Sequence, residues 1–564
     1  MKKSKFHKLY TKEGKEIDLQ PWNEYPRPQM KRKSFFSLNG PWEFYANGGQ
    51  KETILVPFPP ESILSGIGRD MGKYPFLVYR KIFSLPHDFK KDRVFLHFGA
   101  VDQVAKVKLN NVIIGVHRGG YDAFSFDITD ILLDKNILEV EVTDELESGI
   151  LPYGKQRRKR GGMWYTPISG IWQTVWLESV AYNHIKNLRV ETGDNYAEII
   201  ADAPDGKVIL KTPYAKTENE FKDGRARINF KSPRLWSPED PYLYRFELRT
   251  KDDEVESYFA MRKLEICEVD GVERLCLNGK PYFFHGVLDQ GYYSDGIFLP
   301  ASPENFRRDI QTMKSLGFNT LRKHIKVEPE IFYYECDRLG MIVFQDMINN
   351  GSYSFVRDTA LPTAGFKRLP NAFRTKNQRA ESEFEKSMCN TVKQLYSHPC
   401  VCYWTIFNEG WGQFRAKDMY QTLKWLDSTR FIDTTSGWFT SKQSDVESLH
   451  IYFKPVKIKK RKKRIKPIVL TEFGGYSYKI SEHSFNEKKT YGYKKFDNKE
   501  DFENAVYSLY EKEIIPNVKE GLCGAILTQL SDVEDETNGI LTYDRQVIKL
   551  NKERMLGIAE RLKL

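Results

Sequence analysis

The sequence predicts a multidomain chain of β plus α/β class, with two β-sandwiches followed by a C-terminal (β/α)8 barrel. Three observations predict it. At 564 residues the chain exceeds what one hydrophobic core ordinarily organises. Its first half reads as short alternating strands broken by turns, with no helical period between them. After Cys267 the texture changes to strands alternating with amphipathic helices.

The first block runs from Phe35 to about Val180. In "KVKLNNVIIG", Val107 and Leu109 share one face, Asn110-Asn111 turn the chain, and Val112 to Ile114 return it. A second block, Tyr182 to Leu264, contains "LWSPEDPYLYRFEL", in which two prolines around an acidic turn lead into an alternating aromatic run. Its length and strand density suit an immunoglobulin-like sandwich. Neither block gathers acid, base or nucleophile candidates, so scaffolding or sugar contact is the role they suit.

The third block offers eight strand candidates: residues 281–287, 318–324, 341–346, 401–409, 431–437, 447–453, 467–474 and 524–530. Helical patterns lie between several of them, at Pro303 to Leu316, Pro329 to Leu339 and Ala416 to Asp427, with Ser302 and Asp501 as expected N-caps. Eight strands alternating with helices over some 300 residues read as a barrel. The resulting domains are residues 1–181, 182–265 and 266–564.

Composition narrows the function classes. With 40% hydrophobic, 14% aromatic and 29% charged residues, the chain is globular in type. No run of eighteen apolar residues exists, so no membrane span is expected. The start, "MKKSKFHKLYTKEGKEIDLQPW", has positive charge without an apolar central region, and the seven cysteines are sparse and odd in number. A reducing, cytoplasmic location is the expectation, with most cysteines serving as small buried groups.

The net charge of +11 raises nucleic-acid binding, but the densest run, Lys457 to Lys466, lacks interleaved aromatics and reads as a solvated loop. No nucleic-acid partner, membrane partner, cofactor or metal is expected; "DVEDE", Asp532 to Glu536, reads as a solvated loop rather than a cation site.

The chemistry is expected at the C-terminal ends of the barrel strands. There the fourth strand ends in Asn408-Glu409 and the seventh in Glu472 followed by Phe473-Gly474-Gly475. Either glutamate alone could cap the barrel top. Two of them, at glycine-flanked strand ends with an adjacent Asn, suit the paired carboxyls of glycoside hydrolysis, one giving a proton and the other attacking the sugar or activating water. The acid needs burial beside Trp404 and Trp411 to keep its proton, and the nucleophile needs Arg322 and Tyr452 to keep its charge.

"NEGWG", "TEFGG", "LNGPWEF", "LWSPEDPYLY" and "SGIWQTVWLE" together resemble glycoside hydrolase family 2, over nearly the whole chain. The resemblance implies a jelly-roll sugar-binding domain, an immunoglobulin-like domain and a catalytic barrel. It also implies Glu409 as acid/base, Glu472 as nucleophile, Asn408 as partner of the sugar 2-hydroxyl, and a retaining mechanism. Asp289, Gln290, His324, Trp438, His450 and Trp411, with His285, lie at or near strand ends as further subsite candidates.

The sequence departs from the family's pattern in two places. After the eighth strand it has Thr528-Gln529 where many members place a Trp, and after the second it has Arg322-Lys323-His324-Ile325-Lys326. The Asn-x-Lys triplets Asn486-Glu487-Lys488 and Asn517-Val518-Lys519 both precede the eighth strand, which counts against a glucuronate grip. The expectation is therefore a retaining, exo-acting β-glycosidase, β-galactosidase-like, acting on a glycoside or oligosaccharide. β-Glucuronidase, β-mannosidase, α-L-arabinofuranosidase and an inactive carbohydrate-binding protein stay open, as does homo-oligomer formation. The basic run "KQRRKRGG", Lys155 to Gly162, is read either as a loop reaching the barrel mouth or as a solvated one.

Overall fold

The alternating pattern of the first block builds two packed antiparallel sheets. The computed structural model describes residues 8–212, 216–363, 366, 377–458 and 466–564. One sheet pairs Glu52–Val56, Gly40–Ala46, Phe76–Phe83, Asn136–Thr143, Val104–Leu109 and Val112–Arg118 in that order. The other pairs Phe36–Ser37, Val175–Val180, Arg93–Phe98 and Phe124–Asp127. Alternate residues such as Trp42, Phe44, Leu96, Phe98, Val107 and Val140 fill the space between them. Asn110 and Asn111 turn the hairpin at φ of 51° and 67°, a left-handed pair that asparagine tolerates.

The second block forms a smaller sandwich with sheets of three and four strands around Phe221, Phe246, Leu248 and Phe259. A hairpin, Leu264–Val269 and Val272–Leu277, then leads into the barrel. Arg274 donates from it to the carbonyls of Val518 and Leu522, at 2.7 and 3.1 Å. Cys267 and Cys276 form a disulfide here, which the reading of a reducing compartment does not anticipate. The other five cysteines are free, and Cys336, Cys400, Cys402 and Cys523 are buried as expected.

All eight expected barrel strands form: β1 Phe284–Asp289, β2 Thr320–Lys323, β3 Ile342–Asp346, β4 Val401–Asn408, β5 Phe431–Ser436, β6 Glu447–Ile451, β7 Ile468–Gly474 and β8 Leu522–Thr528. They hydrogen-bond in the order β5-β4-β3-β2-β1-β8-β7-β6. The ring closes between β5 and β6 through side chains, with Ser448 Oγ donating to Asp433 Oδ1 at 2.9 Å. Both faces of β4 and β7 are covered, hence their largely apolar sequences.

The described helices include α1 Pro303–Ser315, α2 Glu330–Leu339, α3 Gln378–Leu395, α4 Ala416–Leu426, α5 Lys499–Leu509 and α6 Lys552–Leu562. Ser302 caps α1 in a reciprocal box with Asn305. Asp501 is not a cap: α5 starts at Lys499, and Asn498 accepts from the Asp501 amide at 2.9 Å. Among the described residues, no helix is long and apolar enough to cross a membrane. Residues 459–465, most of the basic run at Lys457 to Lys466, lie outside the described residues.

Distant segments are tied to the barrel. Thr11 donates its amide and hydroxyl to Asp295, at 2.8 and 2.7 Å, and Trp22 Nε1 donates to the Pro300 carbonyl at 2.9 Å. Trp236, fully buried between the second sandwich and the barrel, donates to the Asp337 carbonyl at 2.8 Å. The Asp337 carboxylate accepts from Tyr258 Oη, His398 Nδ1 and the Cys400 amide, each at 2.7 Å. Trp236→Ala is expected to cost about 3–5 kcal/mol, from a lost aromatic and the cavity it leaves. The denaturant midpoint followed by fluorescence measures this; an unchanged midpoint would contradict the joint described here.

Candidate active site

The polar strand ends converge on Arg322. This side chain leaves β2 fully buried and spends its guanidinium on five partners. It binds Asp346, at the end of β3, through both carboxylate oxygens at 3.0 Å. It donates to Glu472 Oε1 at 3.0 Å, to the Thr471 carbonyl at 3.1 Å and to Asn408 Oδ1 at 2.8 Å. Its Nη1 also lies 3.3 Å from His450 Nε2.

Glu409 and Glu472 meet through one imidazole. His450 Nδ1 is 2.7 Å from Glu409 Oε1 and 3.5 Å from Glu472 Oε2. Arginine can only donate, so His450 Nε2 faces it as an acceptor and Nδ1 carries the proton that points at Glu409. One oxygen of each glutamate and His450 Nδ1 all lie within 4.8 Å of one another. Such a set has the donors to hold a cation, but the positive charge that meets Glu472 is Arg322.

The two carboxyls are pushed in opposite directions. Burial and the charge of Glu472 raise Glu409 above the usual carboxyl range, against the hydrogen bond from His450. Burial also works on Glu472, yet His450, Arg322, His324 and the Tyr452 hydroxyl together hold it down to about 2. That hydroxyl donates to Glu472 Oε2 at 2.5 Å and lies 3.0 Å from Thr528 Oγ1. The site therefore has one carboxyl fitted to carry a proton and one fitted to stay charged.

Local backbone aims Glu409. It stands at φ 51°, uncommon for a residue with a side chain, and its amide is tied to the Ser436 carbonyl at 2.9 Å. Gly410 follows at φ 78°, where a Cβ would sit 2.2 Å from the Phe439 ring. At Gly437 a Cβ would strike the His450 ring at 2.3 Å. The glycines after these strand ends are thus required by close approach.

Of the other sequence candidates, Asn408, His324, Tyr452, Trp411 and Trp438 also gather here. His324 Nδ1 bonds Asp346 Oδ2 at 2.8 Å, and its burial beside Lys155 lowers its pKa to about 4. Trp438 lies half-buried, its ring 6.4 Å from His450. Three candidates do not join the two glutamates. Asp289 pairs with Lys323 at 2.6 Å, inside a separate buried cluster with Glu328 and Lys326, because β2 turns Lys323 away from Arg322. Gln290 is held by Gln529 at 2.8 Å. His285 is packed on Phe318 and tied to the Gly317 carbonyl and Tyr510 hydroxyl, a satisfied core histidine.

Several residues of the site escaped the sequence reading. Asp346 ends a buried strand, the same signal that exposed the two glutamates. Nothing local marks Ser436, whose Oγ lies 3.1 Å from His450 Nε2, Tyr493, whose ring stacks on Tyr452 at 3.9 Å, or Tyr353, whose ring meets Trp411 at 5.7 Å. Trp164, from the first sandwich, stacks on Trp411 at 5.2 Å and 29°. Arg157 lies 4.7 Å over Trp164, and Lys155 4.7 Å over Trp411. The basic run at Lys155 is therefore a wall of the site, not a solvated loop. "DVEDE" is likewise buried and bonded: Asp532 to Lys549 at 2.6 Å, Glu534 to Arg160 at 3.0 Å, and Asp535 to Asn486 at 2.7 Å.

Comparison with known proteins places this architecture. The model for the glycosyl hydrolases family 2 TIM barrel domain matches residues 267–548, half of the 564-residue chain. The family's galactose-binding domain-like model matches residues 73–173, and a third glycosyl hydrolases family 2 model matches 179–262.

A β-glucuronidase of Bacteroides fragilis is 25% identical over 407 residues, 66% of this chain and 56% of that protein. A β-galactosidase of Thermoanaerobacter pseudethanolicus is 27% identical over 296 residues, 48% of this chain and 39% of that one. The chain thus spans about half the length of these relatives. The solved β-D-glucuronidase of Dictyoglomus thermophilum shares the fold at TM-score 0.72 and 18% identity, over 95% of this chain and 98% of that one. A β-galacturonidase of Eisenbergiella tayi bound to galacturonate does so at 0.68 and 19%, over 95% and 99%. With half its length matched by the barrel model and both sandwiches matched in order, the chain belongs to glycoside hydrolase family 2.

Proposed function

We propose that the chain is a retaining, exo-acting β-glycosidase, β-galactosidase-like, that removes a terminal sugar by double displacement. One observation carries this reading: Glu409 and Glu472 share a single imidazole while their pKa values are driven apart. Retaining enzymes hold their two carboxyls about 5–5.5 Å apart, and inverting ones leave room for a water. The close approach of these oxygens, within 4.8 Å, supports the former.

In this mechanism Glu409 gives its proton to the glycosidic oxygen as Glu472 attacks the anomeric carbon. The leaving alcohol departs and a glycosyl-Glu472 ester forms. Glu409, now a carboxylate stabilised by His450 Nδ1–H, takes a proton from water as the water oxygen attacks the anomeric carbon and the ester bond breaks, which returns Glu472 to its carboxylate and frees the sugar with its configuration retained. Asn408, held at Oδ1 by Arg322, offers its amide Nδ2 to the sugar. Tyr452 and Arg322 keep Glu472 ionised until it attacks. A β-glucuronidase is the second reading, favoured by the names of several similar proteins. A cytoplasmic location rests on the sparse cysteines, against the single Cys267–Cys276 bond.

Glu472→Gln is expected to lower kcat/KM on chromogenic β-glycosides at least about 10³-fold with the fold intact. Glu409→Gln should slow substrates with poor leaving groups by roughly 10²–10⁴-fold and activated aryl glycosides less. Wild-type rates in either variant would remove the assignment. The alkaline limb of the pH–rate profile reports loss of the Glu409 proton. Because the His450 bond lowers Glu409, His450→Ala should move that limb to higher pH; a shift to lower pH, or none, would contradict the arrangement.

A further inference from the structure

Lys155 presents an ammonium that the described residues leave unbonded. The residue is only 6% exposed, and among the described residues its Nζ makes no hydrogen bond or ion pair. It rests over Trp411, whose own Nε1 is buried without a partner. Held over that ring by a cation–π contact, the ammonium keeps its N–H donors for a ligand.

The carboxylates whose charges act on Lys155 are Glu536, Glu472 and Glu409, in that order. Glu472 is already occupied by Arg322 and Tyr452, and Glu409 by His450. Glu536 stands on the loop after β8. Tyr165 fixes the two against each other, its amide donating to the Lys155 carbonyl at 3.1 Å and its hydroxyl to Glu536 Oε2. Asn538 Nδ2 donates to Glu536 Oε1 at 3.1 Å, so Glu536 is held as an acceptor. A donor and an acceptor from different domains thus stand apart, rigidly placed, without closing on each other.

A neutral sugar hydroxyl suits that pair chemically, because it accepts from an ammonium and donates to a carboxylate at once. A uronic-acid carboxylate fits poorly: it satisfies Lys155 but adds a negative charge beside Glu536 and Glu472. We propose, resting on the glycosidase reading, that Lys155 and Glu536 are specificity-determining residues that grip hydroxyls of a neutral glycosyl residue and reject the corresponding uronide.

The test compares kcat/KM for 4-nitrophenyl β-D-galactoside, glucoside, glucuronide and galacturonide in the wild type, Lys155→Met, Lys155→Arg and Glu536→Gln, with thermal unfolding as a control. The wild type should favour the better neutral sugar over its uronide at least tenfold. Lys155→Met should lose roughly 100-fold on it, mainly through KM, with Lys155→Arg recovering part. Glu536→Gln should narrow the preference against the uronide, a change that misfolding would not produce. A wild type that prefers either uronide, or a Glu536→Gln variant whose preference is unmoved, overturns this inference and leaves the glycosidase reading standing. Absence of turnover on every glycoside overturns both.

Discussion

A single buried guanidinium organises the site. Arg322 has no solvent exposure, so its charge must be met inside the protein, and the planar fork of donors lets it meet several strand ends at once. Asp346 neutralises it from β3, which leaves Glu472 paired without being consumed as its sole counter-ion. The same group pins Asn408 through Oδ1 and sets the tautomer of His450 through Nε2. The protonation of Glu409 is thereby linked to a residue of β2 that never touches it. An isolated buried ion pair would be weak support for a structure; here the pairs form a network whose donors are all spent.

The site is also a joint between domains. Its floor is the barrel, but one wall is the loop of the first sandwich, where Lys155 and Trp164 pack on Trp411, two residues beyond Glu409. Tyr165 and Arg160 from the same loop hold Glu536 and Glu534, beyond β8. Chemistry and recognition are thus divided, with the glutamates on short rigid strand ends and the pocket wall on segments far apart in sequence. Strand ends are positioned by the barrel's ladder, and loops are free to vary over it.

Much of this was legible beforehand for definite reasons. Strand β4 was readable because burial on both faces demands a long apolar run, "VCYWTIF". Glu409 and Glu472 were readable because a charge closing such a run has no place in the core. Asp346 closes one in the same way and was passed over. Asp289 misled, since an acid at a strand end can equally pair downward with Lys323. His285 misled because a histidine on a strand gives no sign of which way its ring faces. The acidic run at Asp532 looked solvated and the basic run at Lys155 was left between a solvated loop and a loop at the barrel mouth, because opposite charges distant in sequence neutralise each other only after folding.

What the sequence by itself determined is the succession of two sandwiches and a barrel, and which carboxylates stand at the ends of β4 and β7. Periodicity and burial are properties of neighbouring residues, so a local reading can find them. What only the tertiary structure decided is the contact map among those ends: that His450 lies between the two acids, that Arg322 holds five partners, and that Lys155 comes from another domain to face them. Those relations depend on where loops bring side chains separated by hundreds of residues, and no short-range pattern carries that information.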